Sequence, residues 1–67
     1  MSKETVGQLV YIPSDTSLLQ YERSSPSKIL QTRVPTNLIV LREKETELGV
    51  WFEGEVWYVD KKKVYNV

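Results

Sequence analysis

Apolar and polar residues alternate in the last third of the chain in a way that predicts a β-hairpin. Every second residue of Leu48–Phe52 is apolar, and the β-branched and aromatic segment Val56–Val59 follows the pair Glu53-Gly54. A period of two is typical of a half-buried strand. Gly54 can take the positive φ of a tight turn without a Cβ clash. The pattern therefore predicts two strands joined by a two-residue turn.

A two-residue turn also determines which residues face each other. Trp51 then pairs with Val56 and Val50 with Trp57, so the two tryptophans lie on opposite faces of the sheet. We expect one tryptophan in the core and the other at least partly exposed, where, beside Tyr58, it would mark a recognition patch. The alternative is that a long first loop covers the second tryptophan.

Other apolar segments predict the remaining strands. Val6–Ile12 alternates and ends at Pro13, which cannot donate to a ladder. Lys28–Val34 leads into a proline turn. The continuous apolar run Leu38–Leu41 suits a central strand that is covered on both faces, and Arg42–Glu47 is predicted to be a loop.

The segment between the first two predicted strands differs in composition. Ser14–Ser27 is rich in Ser, Thr, Asp and Pro, which predicts a long loop. Three apolar side chains would attach it to the core: Leu18, Leu19 and Tyr21. Long irregular loops are uncommon in compact domains and are usually functional.

Length and composition restrict the class of protein. The 67 residues predict one domain, 1–67, and the absence of cysteine suits a reducing compartment. The N-terminus has no apolar segment of signal-peptide type, and no run approaches the roughly 18 apolar residues of a membrane span. We expect a cytoplasmic protein that does not contact a membrane.

The residue inventory argues against catalysis. The chain has no histidine and no cysteine, which removes the usual general base and the usual thiol nucleophile. No Gly-x-Ser-x-Gly motif, phosphate-binding glycine loop or calcium-loop spacing occurs. The expectation is a protein that is not an enzyme and has no catalytic residues, cofactor or metal site.

The two ends of the chain resemble the SH3-like barrel. Val6–Pro13 is similar to the opening of that fold, and Trp57–Tyr65 is similar to its ending, where a strand breaks into a 3₁₀ turn and a valine returns to the core. Together they are similar to small SH3-like proteins of tailed bacteriophages, cyanophages included. The resemblance implies an all-β, five-stranded antiparallel barrel with a long first loop, made in the host cytoplasm if the protein is a phage protein.

The resemblance does not extend to the proline-rich peptide groove of eukaryotic SH3 domains. The paired-tyrosine motif and the acidic loop of that groove are not recognisable in Ser14–Ser27. In addition, Asp60 stands where the classical domain has a proline after its fourth strand. Fold alone does not assign function.

Two binding functions remain. In the first, the domain is a protein-interaction or assembly module that holds a protein partner through exposed aromatic residues or a sheet edge. Its candidate binding residues are Tyr21, Trp51, Trp57, Tyr58 and Tyr65.

In the alternative, the domain binds nucleic acid, with Lys61, Lys62 and Lys63 on phosphates and Trp57 or Tyr65 stacked on bases. Charge counts against this alternative because nine basic and nine acidic residues balance. Five glutamates also cluster within residues 43–55. The simplest interpretation of both charged groups is that they solvate turns.

Overall fold

A computed structural model describes residues 5–67, and in it these residues form β-strands and no α-helix. The strands are β1 (Leu9–Ile12), β2 (Ser17–Glu22), β3 (Ser25–Gln31), β4 (Thr36–Glu43), β5 (Glu47–Phe52), β6 (Glu55–Asp60) and β7 (Tyr65–Asn66). A 3₁₀ turn at Lys61–Lys63 separates the last two. Nothing in the described part of the chain is a helix long and apolar enough to cross a membrane.

All seven strands belong to one antiparallel sheet with the order β3-β2-β6-β5-β4-β1-β7. The all-β antiparallel class is therefore confirmed. The count of five strands is wrong, and the sheet is not closed into a barrel, because β3 and β7 remain its two edges.

The predicted first loop, Ser14–Ser27, is the main correction. Most of it forms β2 and the beginning of β3, joined by the two-residue turn Arg23-Ser24. Both turn residues have positive φ, 53° and 71°, although neither is glycine or asparagine. Composition missed this hairpin for two reasons: its turn lacks the usual residues, and Pro26 is tolerated because β3 is an edge strand.

The predicted hairpin is confirmed at the level of register. Val50 pairs with Trp57 and Trp51 with Val56, as the two-residue turn requires. Glu53 and Gly54 have φ values of 51° and 81°, which is the pair of positive φ angles that suits the twist of a hairpin.

The core lies on one face of the curled sheet. Its buried apolar side chains are Val10, Ile12, Leu18, Leu38, Val40, Leu48, Val50, Trp57 and Val59. They come from β1, β2, β4, β5 and β6, at alternate positions within each strand. This alternation is expected where one face of an antiparallel sheet packs and the other meets water.

Strand β4 differs from its prediction for the same reason. Leu38 and Val40 are buried, whereas Ile39 and Leu41 are exposed. The strand is central in the sheet, but no element within residues 5–67 covers its outer face, so the expectation that both faces are covered is wrong.

Buried threonines attach the β2–β3 hairpin to the end of β1. The amide of Thr16 donates to the Thr32 hydroxyl at 3.0 Å, and that hydroxyl donates to the Pro13 carbonyl, also at 3.0 Å. The Thr16 hydroxyl donates to the same carbonyl at 2.8 Å. These buried polar groups are thus paired, as burial requires.

A 3₁₀ turn interrupts the chain between β6 and β7. The Asp60 carboxylate accepts a hydrogen bond from the Lys62 amide at 2.9 Å and so caps the 3₁₀ turn. Val59, before the turn, is fully buried, while Val64, after it, is half-buried against the core. The valine that follows the turn is therefore only partly enclosed.

Truncating these valines should separate their contributions to stability. We expect Val59→Ala to lower the free energy of unfolding by about 1–3 kcal/mol through lost burial and a residual cavity. Val64→Ala should cost clearly less because its side chain is only partly enclosed. Urea denaturation of both variants measures the difference, and an equal or reversed order would contradict this packing.

Candidate interaction surface

The structure separates the five aromatic residues predicted to bind. Trp57 lies in the core with 7% of its surface exposed, so it is not available to a partner. Its buried Nε1 atom has no hydrogen-bond partner among the described residues. Trp51, on the opposite face, is 49% exposed. The first β-hairpin does not cover it, so the alternative of two covered tryptophans is wrong.

Tyr65 is also exposed, but it lies on an edge strand of the sheet, away from Trp51. It belongs to β7 and pairs with Tyr11 of β1, with ring centroids 6.3 Å apart. Tyr21 lies on β2 and Tyr58 on β6. These two strands are adjacent, near the edge of the sheet opposite β7. The predicted residues therefore form separate groups rather than one patch.

Trp51 belongs to a line of apolar side chains that crosses four strands on the outer face. Leu9 pairs with Ile39, Ile39 with Trp51, and Trp51 with Val56. Leu9 is 44% and Ile39 41% exposed, and Val56 is half-buried. We call these four residues the apolar row.

Tyr58 and Tyr21 form a second group on the same outer face. Their rings meet edge to face, with centroids 5.6 Å apart. The Tyr58 ring lies over Gly49, its partner on β5, where an added Cβ would come within 3.1 Å of the ring. The absence of a side chain at Gly49 therefore lets the ring lie close against the sheet.

Charged residues surround the two rings. The Lys44 ammonium lies 4.3 Å from the Tyr58 ring centroid and 5.5 Å from that of Tyr21. The Tyr21 hydroxyl donates a hydrogen bond to the Glu47 carboxylate, and Arg42 donates to the Tyr58 hydroxyl at 3.4 Å. We call the two tyrosines with Lys44 and Glu47 the tyrosine site.

A cavity of about 420 Å³ adjoins this group. It lies between the start of β2, the loop before β5 and the 3₁₀ turn, and Glu47 lines it as well as bonding to Tyr21. Its charged lining residues are Asp15, Glu47, Asp60 and Lys63, so carboxylates outnumber cations. Within residues 5–67, no three His, Cys, Asp or Glu side chains are grouped so that they could hold a metal ion.

The three lysines of the 3₁₀ turn do not act as a unit. The Lys61 ammonium lies 3.1 Å from the Glu43 carboxylate, and this pair is largely shielded from solvent. Lys63 lines the cavity opposite carboxylates, and Lys62 is exposed. Two of the three lysines thus face acidic groups.

The residues of this surface that the sequence did not predict are Leu9, Ile39, Arg42, Lys44, Glu47, Gly49 and Val56. Alternation in β1 and β4 places Leu9 and Ile39 on the face opposite the core. A half-buried strand at Leu38–Leu41, rather than one covered on both faces, predicts this position for Ile39. The register shift in β4 after Val40 and the path of the loop decide where Arg42 and Lys44 point, and no local pattern predicts either.

The pKa of Tyr21 is raised from 10 to about 12. The main cause is its hydrogen bond to Glu47, followed by desolvation and by repulsion from the same carboxylate. Because the folded value is the higher one, the protonated phenol stabilises the fold. This contribution is complete below pH 10 and is lost as the pH rises through about 12.

We therefore expect the Tyr21 phenol to titrate near pH 12 in an NMR titration of its Cζ carbon. Glu47→Gln should lower that midpoint because the carboxylate is removed, while Glu45→Gln, in the loop just before β5, should leave it unchanged. The wild type should also lose more stability between pH 10 and pH 12 than Tyr21→Phe does. A midpoint insensitive to Glu47→Gln would show that the carboxylate is not the cause.

No protein-family model, no curated protein and no solved structure matches this chain. Its function therefore has to be inferred from the contacts, burial and charges of its own residues.

Proposed function

We propose that this protein is a non-catalytic interaction module that holds a protein partner on the outer face of its sheet. The observation that carries the proposal is the apolar row. Three of its four members, Leu9, Ile39 and Trp51, are exposed by 41–49% and lie in direct cross-strand register. Scattered apolar residues on a surface are ordinary, but a contiguous group is a feature of binding sites.

The residue types around the row also support a protein partner. Tryptophan, tyrosine and arginine dominate the energetics of protein interfaces, and the outer face presents Trp51, Tyr58 and Arg42. Polar residues border the row at the hairpin turn, where Glu53 and Glu55 are exposed. An apolar centre with a polar border is the usual anatomy of an interface.

The order of elements supports an SH3-like identity for the module. A first strand is followed by a long excursion, three consecutive antiparallel strands, a 3₁₀ turn and a short strand that returns beside the first. This is the order that the two ends of the sequence resemble. The excursion is a hairpin rather than a loop. A relationship to phage proteins and a cytoplasmic location belong to the same proposal.

Nucleic-acid binding has less support from the positions of its residues. Trp57 is enclosed in the core, so it is not free to stack on a base. Lys61 is paired with Glu43, which leaves Lys62 and Lys63 on a chain of zero net charge. Of the two aromatic residues proposed to stack on bases, Tyr65 is the exposed one.

A matched pair of surface variants tests the proposed function. Trp51→Glu places a charge within the apolar row, and Val34→Glu places the same charge at an exposed valine in the turn before β4. In affinity purification from the cells that make the protein, Trp51→Glu should lower recovery of specific partners at least about tenfold because it removes an interface anchor. Val34→Glu should recover them as the parent does.

Nuclease treatment and thermal melting complete this test. Recovery should not change with nuclease, and both variants should melt close to the parent because each change is on the surface. Partners lost with nuclease would favour the nucleic-acid alternative. Equal recovery by the two variants would remove the apolar row as the contact surface.

A further inference from the structure

The tyrosine site already holds a cation, and that cation belongs to an exposed side chain. Lys44 lies in the short loop between β4 and β5, and its backbone amide donates to the Glu47 carbonyl at 2.9 Å. Its ammonium lies over the Tyr58 ring and near the Tyr21 ring. Since the side chain is exposed, it can leave the rings without disturbing the loop backbone.

The rings themselves are held in place without Lys44. Tyr58 lies against the sheet over Gly49, Tyr21 is fixed by its hydrogen bond to Glu47, and the two rings support each other edge to face. Removal of Lys44 would therefore leave two aromatic faces beside the Glu47 carboxylate, with Arg42 bonded to the Tyr58 hydroxyl. Aromatic faces carry the negative part of the ring quadrupole, which attracts ammonium and guanidinium groups.

We propose that the tyrosine site binds a cationic side chain, an arginine or lysine of the partner protein, and that Lys44 occupies this site in the free protein. The inference rests on the proposed interaction function, because it gives the chemistry of one contact that the partner makes. It adds a second contact to the apolar row on the same outer face of the sheet.

The neighbouring cavity provides charge complementarity for such a ligand. Asp15, Glu47 and Asp60 line it against one cation, Lys63, and Glu47 connects it to the tyrosine site. A basic segment that places one side chain on the rings would bring its remaining charge beside these carboxylates. The same carboxylates would repel an acidic or phosphate-bearing ligand.

Defined peptides test this proposal without an identified partner. The probe is Ac-Gly-Arg-Gly-NH2, and its matched control replaces arginine by citrulline, which has nearly the same shape and no charge. In an NMR titration, the arginine peptide should shift the ring signals of Tyr21 and Tyr58 in a saturable manner. The citrulline peptide should shift them much less. Equal shifts with the two peptides would overturn the proposal.

Variants of the protein separate a cation site from nonspecific attraction. Lys44→Gln should bind the arginine peptide about two- to five-fold more tightly because the internal competitor is gone. Lys28→Gln makes the same charge change at the exposed lysine of β3 and should not alter the affinity. Tyr58→Phe should keep binding and Tyr58→Leu should lose it, since a ring face is required.

An oligonucleotide distinguishes a nucleic-acid site, because Lys44→Gln should then change the affinity in the opposite direction. If the site binds nucleic acid, decathymidylate should bind the parent protein, and Lys44→Gln should weaken that binding by removing a phosphate contact. That result, or an affinity for the arginine peptide that Lys44→Gln leaves unchanged, would overturn the cation site.

The peptide and recovery experiments also distinguish failure of the two proposals. If the peptide results hold while Trp51→Glu still recovers partners, only the apolar row fails. If Trp51→Glu loses partners and the peptides do not bind, only the cation site fails.

Discussion

The backbone pairing of β5 with β6 places Val50 opposite Trp57 and Trp51 opposite Val56. The side chains of each strand alternate between the two faces of the sheet, so this register assigns one tryptophan to the core and one to the surface. A shift of this pairing by one residue would place both tryptophans on the same face of the sheet. Either Leu48 and Val50 of β5, or Trp57 and Val59 of β6, would then leave the core. Both the stability of the domain and its candidate binding surface therefore depend on the two-residue turn at Glu53-Gly54.

A domain of 67 residues buries only about 60% of the surface of its unfolded chain. Its free energy of unfolding is therefore small, yet its outer face keeps Leu9, Ile39 and Trp51 in contact with water. Polar residues at these positions would fit the same strands without loss of core packing. The proposed protein partner, by covering these side chains, would account for their apolar character. Gly49 fits the same account, because its missing side chain seats Tyr58 on that face.

The parts of the fold with local signals were predictable from the sequence. The turn glycine and the alternation around it gave the correct register of the hairpin, including the opposite positions of Trp51 and Trp57. The hairpin within Ser14–Ser27 was not predictable, because Arg23 and Ser24 adopt positive φ against their preference. The tyrosine site depends on pairing between strands distant in sequence, with Leu19 of β2 opposite Tyr58 of β6, and no local pattern encodes that contact.

The opposite positions of the two tryptophans are tested most directly by acrylamide quenching of two single-tryptophan variants, Trp51→Phe and Trp57→Phe. With Trp51 replaced, the remaining Trp57 should emit at shorter wavelength and resist quenching, because it is 7% exposed. With Trp57 replaced, Trp51 should emit at longer wavelength and be quenched readily, because it is 49% exposed. Equal protection of both tryptophans, or the reverse order, would contradict the register and the surface built on it.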